Sequence, residues 1–424
     1  MKWLEEMHHP EKYWKIFLKW GLLGLIMGLI GGVLGAAFHH TLHFVTHLRG
    51  GHLWLILLLP VGGLLTVAIY RVFGMRNNRG TNEIIDAILN GGTVNPLVAP
   101  VIFAATSLTH LFGGSAGREG AALQLGGSVA SKLGKLLRLK EEERTVLIMS
   151  GMSAVFAGLF GTPLTATLFT MEFASVGTIF SPALLPCYLA AFTAASVSAG
   201  MGVHAETVIL ENAVKFTAAT NARVLVLAVM VGVLGILMCY VFHKAEHYAA
   251  KRFPNPWIRI TVGAVTVAVM TLLVGDHRYN GAGMEMALGA VAGEAEWYDF
   301  LLKLLFTAVT LSAGFKGGEI VPTFCIGATF GCALGGLLGL DAGFAAALGL
   351  VGLFCCVTNS PITAIILSIE MFGSVNVYIF AFVCVIAYVI SGNWGLYASQ
   401  IIQFSKARMV KKHLHDHREQ NANH

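Results

Sequence analysis

Charge is what this 424-residue sequence has least of: 12% of it is Asp, Glu, Lys or Arg, while 56% is hydrophobic. A soluble domain carries about twice that charged fraction, so a water-surrounded globule is excluded. Acid clusters are also missing, because no apolar stretch holds the group of carboxylates that a cation site requires. The seven cysteines, Cys187, Cys239, Cys325, Cys332, Cys355, Cys356 and Cys384, all lie in apolar surroundings. They read as buried small side chains, neither a disulfide framework nor metal ligands. No small-residue cleavage site follows the first apolar run, so that run reads as a retained first span.

Long apolar runs are what the sequence does contain. Ile16–Ala37, Leu53–Tyr70, Val224–Val241, Ile258–Val274 and Val375–Ile390 each match or approach the roughly 20 apolar residues that cross a bilayer. The expected class is an all-α polytopic membrane protein. Lys2, Lys12, Lys15 and Lys19 precede or enter the first run, and Lys406, Arg408, Lys411 and Lys412 follow the last. Residues 276–299 hold only Arg278 among several acids. This asymmetry places both termini in the cytoplasm of a cell whose plasma (inner) membrane holds the chain, with the 276–299 loop outside. The net charge of +5 therefore reads as orientation and not as a nucleic-acid surface.

Other apolar segments are broken. Pro163, Pro322 and Pro361 interrupt them, as do the glycines of 113–127, 314–318 and 327–339. Non-helical backbone at membrane depth survives only where protein or a water-lined cavity satisfies it, and it marks transport sites. Two broken regions recur. SAGREG at 115–120 is similar to SAGFKGGE at 312–319, and TPLTATLFTMEF at 162–173 is similar to SPITAIILSIEM at 360–371. Pro163 and Pro361 lie 198 positions apart, as do Glu172 and Glu370, while Ser115 lies 197 before Ser312. A near-constant offset predicts a duplicated unit, in which Glu172 and Glu370 are equivalent structural acids. The Gly-rich turns GGSAGREG, GFKGGEIVP and GTNEII open helices, whose free N–H groups and partial positive charge favour anions. An anion pathway between the repeats follows.

These motifs together resemble the CLC anion channels and proton-coupled antiporters over about residues 15–405. GREG at 117–120 is similar to the family's G(K/R)EGP signature, whose glutamate gates the pathway and carries the proton. GGEIVP at 317–322 stands where the family has GxFxP, and GLYASQ at 395–400 where it has a late anion-site tyrosine. Within the family, THLFGGSAGREG and GFKGGE are most similar to the fluoride/proton antiporter branch. Ala121 after the GREG motif, RGTNEI at 79–84 in place of GSGIP, and Phe173 at the inner proton-relay position all depart from the chloride branch. Thr81, Val321 and Cys325 instead depart from the fluoride branch, which has Met, Thr and an aromatic there.

The resemblance implies a CLC-type fold with two inverted repeats of tilted and broken helices, assembled as a homodimer with one pathway per subunit. Its expected divisions are a cytoplasmic segment 1–15, a membrane domain 16–403 with halves of about 16–215 and 216–403, and a cytoplasmic tail 404–424. It implies Glu119 as the gating and proton-carrying group and Glu319 as a second proton or anion group. Anion contacts are expected from Thr81, Asn82, Gly117, Arg118, Gly120, Gly318, Ile320, Val321 and Tyr397. The Glu119 carboxylate is itself an anion, able to fill an anion site when ionised and to vacate it when protonated. A protonated Glu319 can donate a hydrogen bond that fluoride accepts more strongly than chloride. Neither cofactor nor regulatory domain is expected.

The expected function is proton-coupled export of fluoride. A chloride/proton antiporter and a passive anion channel of the same fold stay open, since all three keep the gating glutamate. A membrane zinc protease is a distant alternative: HKAEH at 243–247 fits H-x-x-E-H, and HHTLHFVTH puts His39, His43 and His47 on one helix face.

Overall fold

The computed structural model describes residues 10–210, 217–404 and 406. The first half of the chain gives α1 (Pro10–Gly51), α2 (Leu59–Val72), α3 (Thr81–Leu89), α4 (Val98–Leu111), α5 (Glu119–Leu136), α6 (Glu141–Phe160), α7 (Pro163–Glu172) and α8 (Leu184–Gly200). The second half repeats the pattern as α9 (Ala218–Arg252), α10 (Pro256–Val274), α11 (Met284–Val291), α12 (Asp299–Ala313), α13 (Ile320–Leu338), α14 (Ala342–Thr358), α15 (Pro361–Phe372) and α16 (Val377–Ile390). Each helix of the first set has a counterpart eight places on. Between the halves' ends, β1 (Ser175–Val176) pairs in parallel with β2 (Ile401–Ile402), drawing the last described segment back under α7.

Among the described residues, seven helical runs are long and apolar enough to cross a membrane. Leu22, Leu25, Leu29 and Val33 of α1 and Val265, Val269 and Leu272 of α10 are exposed, an outward apolar face that suits lipid. The first helix begins at Pro10, earlier than the expected domain start at 16. The expected second-half start, 216, lies outside the described residues, as do 1–9, 405 and 407–424 of the expected terminal segments. Lys406 belongs to the packed domain, since its Nζ donates to Asn359 Oδ1 at 2.6 Å and to the Tyr388 carbonyl at 3.0 Å.

Two sets of contacts relate the halves. Where α5 crosses α6, a Cβ on Gly126 would strike the Gly151 carbonyl, and where α13 crosses α14, a Cβ on Gly349 would strike that of Gly327. Glycine at both crossings lets the backbones touch, as in other membrane helix pairs. At the second set, Glu172 accepts from the Ile362 and Thr363 N–H groups (3.1 and 2.8 Å) and the Thr363 hydroxyl (2.6 Å). Glu370 accepts from Leu164 N–H (2.9 Å), Thr165 N–H (2.7 Å) and the Thr165 hydroxyl (2.5 Å). Each acid at one helix C-terminus thus caps the proline-led N-terminus of the other, where free N–H groups attract a carboxylate. Such reciprocity requires α7 and α15 to be antiparallel about a two-fold axis. Both acids are structural, as expected.

One part of the repeat alignment is corrected. Glu119 and Ile320 open equivalent helices, an offset of 201, and Gly126 and Gly327 share it, whereas Gly151 and Gly349 return to 198. The three-residue difference lies inside the second helix of each pair, where α6 runs three residues farther before Gly151 than α14 does before Gly349. Ser115 and Ser312 are therefore not equivalent: Ser115 lies in the turn after α4, Ser312 in the last turn of α12.

Candidate functional site

The starts of α5 and α13 meet head to head at the centre of the molecule. Gly117 N–H donates to the Gly318 carbonyl at 2.7 Å and Gly318 N–H to the Gly117 carbonyl at 2.9 Å, an antiparallel bridge between the halves. This corrects the expectation that Gly117 and Gly318 present N–H groups to an anion, because each is spent on the other. The donors left without an intrahelical acceptor are those of Glu119, Gly120 and Ala121 on α5 and of Ile320 and Val321 on α13. Pro322 follows in α13, where its missing N–H costs no bond.

Glu119 fills this junction. It is 0% exposed, its Oε1 accepts the Arg118 N–H at 3.1 Å, and the carboxylate lies against the N–H groups of Glu119 and Val321. Oε2 has no hydrogen-bond partner. A Cβ on Gly318 would come within 2.6 Å of it, and one on Gly117 closer still. Only glycine at both positions leaves room for the carboxylate.

A cavity opens on each side. One, of about 460 Å³, lies at the face formed by the α2–α3 link and the end of α9, and reaches Thr81, Gln124, Lys316, Glu319 and Tyr397. The other, of about 750 Å³, lies at the face formed by the end of α1 and the α10–α11 loop, and reaches His39, His43, Arg49, Arg118 and Val321. Glu119 lines neither. It stands between them.

The remaining expected residues sort by side. Tyr397 is 5% exposed and its hydroxyl has no partner. The hydroxyl lies within electrostatic reach of both Glu319 and Glu119, and its ring packs edge-on against Phe173 at 5.8 Å. Thr81 opens α3 with its Oγ1 beside Gly120: a Cβ there would lie 3.1 Å away. Asn82 accepts the Ser399 N–H at 3.0 Å, so its side-chain oxygen holds the Tyr397 segment in place. Gln400 adds a second anchor, donating to the carbonyls of Phe173 (2.5 Å) and Thr358 (2.8 Å). Glu319 sits at the N-cap of α13 but accepts no capping bond, leaving its carboxyl open to the smaller cavity.

Arg118 is divided. Its N–H serves the Glu119 carboxylate, while its guanidinium turns into the larger cavity, pairing with Glu206 at 2.9 Å and stacking over Phe160 at 4.9 Å. The Arg118 guanidinium thus points away from the bridge between Gly117 and Gly318. Among the described residues no three His, Cys, Asp or Glu converge to hold a metal ion, so His243, Glu246 and His247 form no zinc site.

Three further residues belong here without a signal in the sequence motifs. Glu206 fixes the Arg118 side chain. Lys303, fully buried on α12, donates to Ser115 Oγ (3.0 Å) and to the Tyr279 (3.1 Å) and Gly281 (2.7 Å) carbonyls, pinning the turn that leads into GREG. Gln124, 3% exposed, donates from Nε2 to the Gly120 carbonyl at 3.0 Å, and its Oε1 has no partner.

The sequence model of the family described as Voltage gated chloride channel matches residues 62–392. A chloride/fluoride channel protein of Pseudomonas syringae pv. tomato is 35% identical over 396 residues, covering 92% of this chain and 87% of that protein. Among solved structures, a CLC-type fluoride/proton antiporter superposes with a TM-score of 0.88 at 36% identity, over 91% of this chain and 98% of that one. A slow cyanobacterial Cl⁻/H⁺ antiporter shares the fold, with a TM-score of 0.75 at 20% identity over 87% of this chain and 93% of that one.

Proposed function

Because the chain belongs to the voltage-gated chloride channel (CLC) family and has the CLC fold, we propose that it is a proton-coupled anion antiporter exporting fluoride in exchange for protons. The observation that carries this reading is Glu119: a buried carboxylate resting against helix-start N–H groups, with a cavity on either side of the bridge. Those N–H groups attract any small anion. An ionised Glu119 competes for them as a tethered anion. A protonated Glu119 releases them, so each anion that enters is matched by a proton held on the gate.

Fluoride is small and tightly hydrated, and its transfer into protein demands donors at close range. The N–H groups of Gly120, Ile320 and Val321 provide fixed donors, and the hydroxyls of Thr81 and Tyr397 provide movable ones. Glu319 adds an acid facing the smaller cavity. When protonated it donates to fluoride; when ionised it repels an arriving anion. Asn82 acts by positioning the Tyr397 segment. The smaller cavity and both termini are placed on the cytoplasmic side of the plasma membrane, following the basic residues of the terminal segments and Arg79, Arg252 and Arg259 near that cavity's face. The working unit is read as a homodimer with one pathway in each subunit.

The test is fluoride and chloride efflux from the same proteoliposomes, with and without a pH gradient. Fluoride should move uphill when protons move the other way, and faster than chloride. Efflux that dissipates the fluoride gradient without moving protons would make the protein a passive channel instead.

A further inference from the structure

Gln124 carries a buried polar atom on the pathway wall whose chemistry is wrong for an anion. Its side chain folds back along α5, and the Nε2 bond to the Gly120 carbonyl fixes the amide's orientation: the flipped form would set two acceptors face to face. Oε1 is consequently an acceptor, buried, unpartnered and on the wall of the cavity that holds Tyr397 and Glu319. A buried acceptor without a donor is costly. Fluoride cannot satisfy it, having no proton to give, and is repelled by it.

Resting on the antiport reading above, we propose that Gln124 Oε1 is the docking acceptor for the protonated carboxyl of Glu119. The amide is tethered to the residue that follows Glu119, so it stands at the same helix start as the gate. Ionised Glu119 is drawn to the N–H groups at the bridge and repelled by Oε1. Protonation reverses both preferences. The N–H groups lose their hold on the neutral acid, and its O–H gains an acceptor in Gln124. A group whose interactions differ in sign between two states biases the equilibrium between them. The proton stays on Glu119 while the carboxyl is docked, and leaves from there to cavity water, returning the carboxylate to the bridge. Anion and proton then occupy separate subsites, donors at the helix starts for one and an amide oxygen for the other.

The full-length protein in proteoliposomes, followed by fluoride and pH electrodes together, tests this. Gln124→Met removes the acceptor while keeping a long unbranched side chain. Coupled flux should fall by about tenfold, the worth of one hydrogen bond, while calorimetric fluoride affinity stays within about twofold. Gln124→Glu, assayed near pH 5 where burial of the introduced acid keeps it largely neutral, restores a carbonyl acceptor and should recover coupling relative to Met. Wild-type coupling and rate in Gln124→Met, or a Glu variant no better than Met at that pH, overturns the assignment. So does loss of fluoride binding in step with proton movement. If the wild-type protein itself moves no protons, the antiport reading fails first, and the inference falls with it.

Discussion

Replacing Tyr397 with Phe should move stability and anion affinity in opposite directions. The Tyr397 hydroxyl is buried and bonds to no protein group, so removing it breaks no hydrogen bond within the protein. Removing it should leave stability unchanged or raise it by about 1 kcal/mol. The ring keeps its edge-on contact with Phe173, 5.8 Å between centroids, and nothing hydrogen-bonded is lost. Bound fluoride, however, loses one O–H donor to an ionic acceptor, about 1.5–3 kcal/mol, or on the order of tenfold to a hundredfold in affinity. Heating in detergent with size-exclusion readout measures both effects. At a fluoride concentration about 100 times the wild-type dissociation constant, the ion stabilises wild type by about 2.7 kcal/mol, and a tenfold weaker variant by only about 1.4 kcal/mol. Without fluoride, Tyr397→Phe should melt no lower than wild type; added fluoride should raise its melting point distinctly less than it raises that of wild type. A variant destabilised without fluoride, or one that fluoride protects as well as it protects wild type, refutes the reasoning.

Three other outcomes follow from contacts already described. Glu119→Gln should abolish proton coupling, because the amide matches the protonated acid in shape but carries no exchangeable charge; undiminished proton-driven transport would mean another acid is the carrier. Glu319→Ala should lose fluoride-over-chloride preference by about 1–3 kcal/mol, read as relative efflux rates, with unchanged selectivity reducing Glu319 to a water-facing helix-start acid. Glu172→Gln should cost about 3 kcal/mol in thermal challenge, since an amide set against Ile362 N–H and both Thr363 donors leaves one of them unpaired; a wild-type melting point would show that the reciprocal cap contributes little.

The chain's periodicity and its two proline-led segments made the duplication legible, because proline at a helix start and a carboxylate nine residues on are local features that survive in the sequence. Likeness between SAGREG and SAGFKGGE misled by four positions, since short small-residue strings carry no register of their own and the helix starts set it instead. The Glu119 position was readable because a carboxylate between glycines in apolar sequence has few structural roles. The division of Arg118 was not: Glu206, which turns its side chain away, is 88 residues distant. Gln124 and Lys303 were invisible for a related reason. A lone polar residue on an apolar helix announces nothing until the fold shows which of its atoms lack partners.

The tie between Gly117 and Gly318 has a consequence for how this pathway is probed. Both of its hydrogen bonds join main-chain atoms, so conventional side-chain mutagenesis leaves every donor and acceptor in it intact. Alanine at either position would report crowding against the Glu119 carboxylate and say nothing about the tie. The seam where the two halves are stitched is therefore silent in any alanine scan. It is accessible only to chemistry that edits the backbone itself, such as an amide-to-ester exchange at residue 117 or 318 that deletes a single N–H and spares the side chains around it.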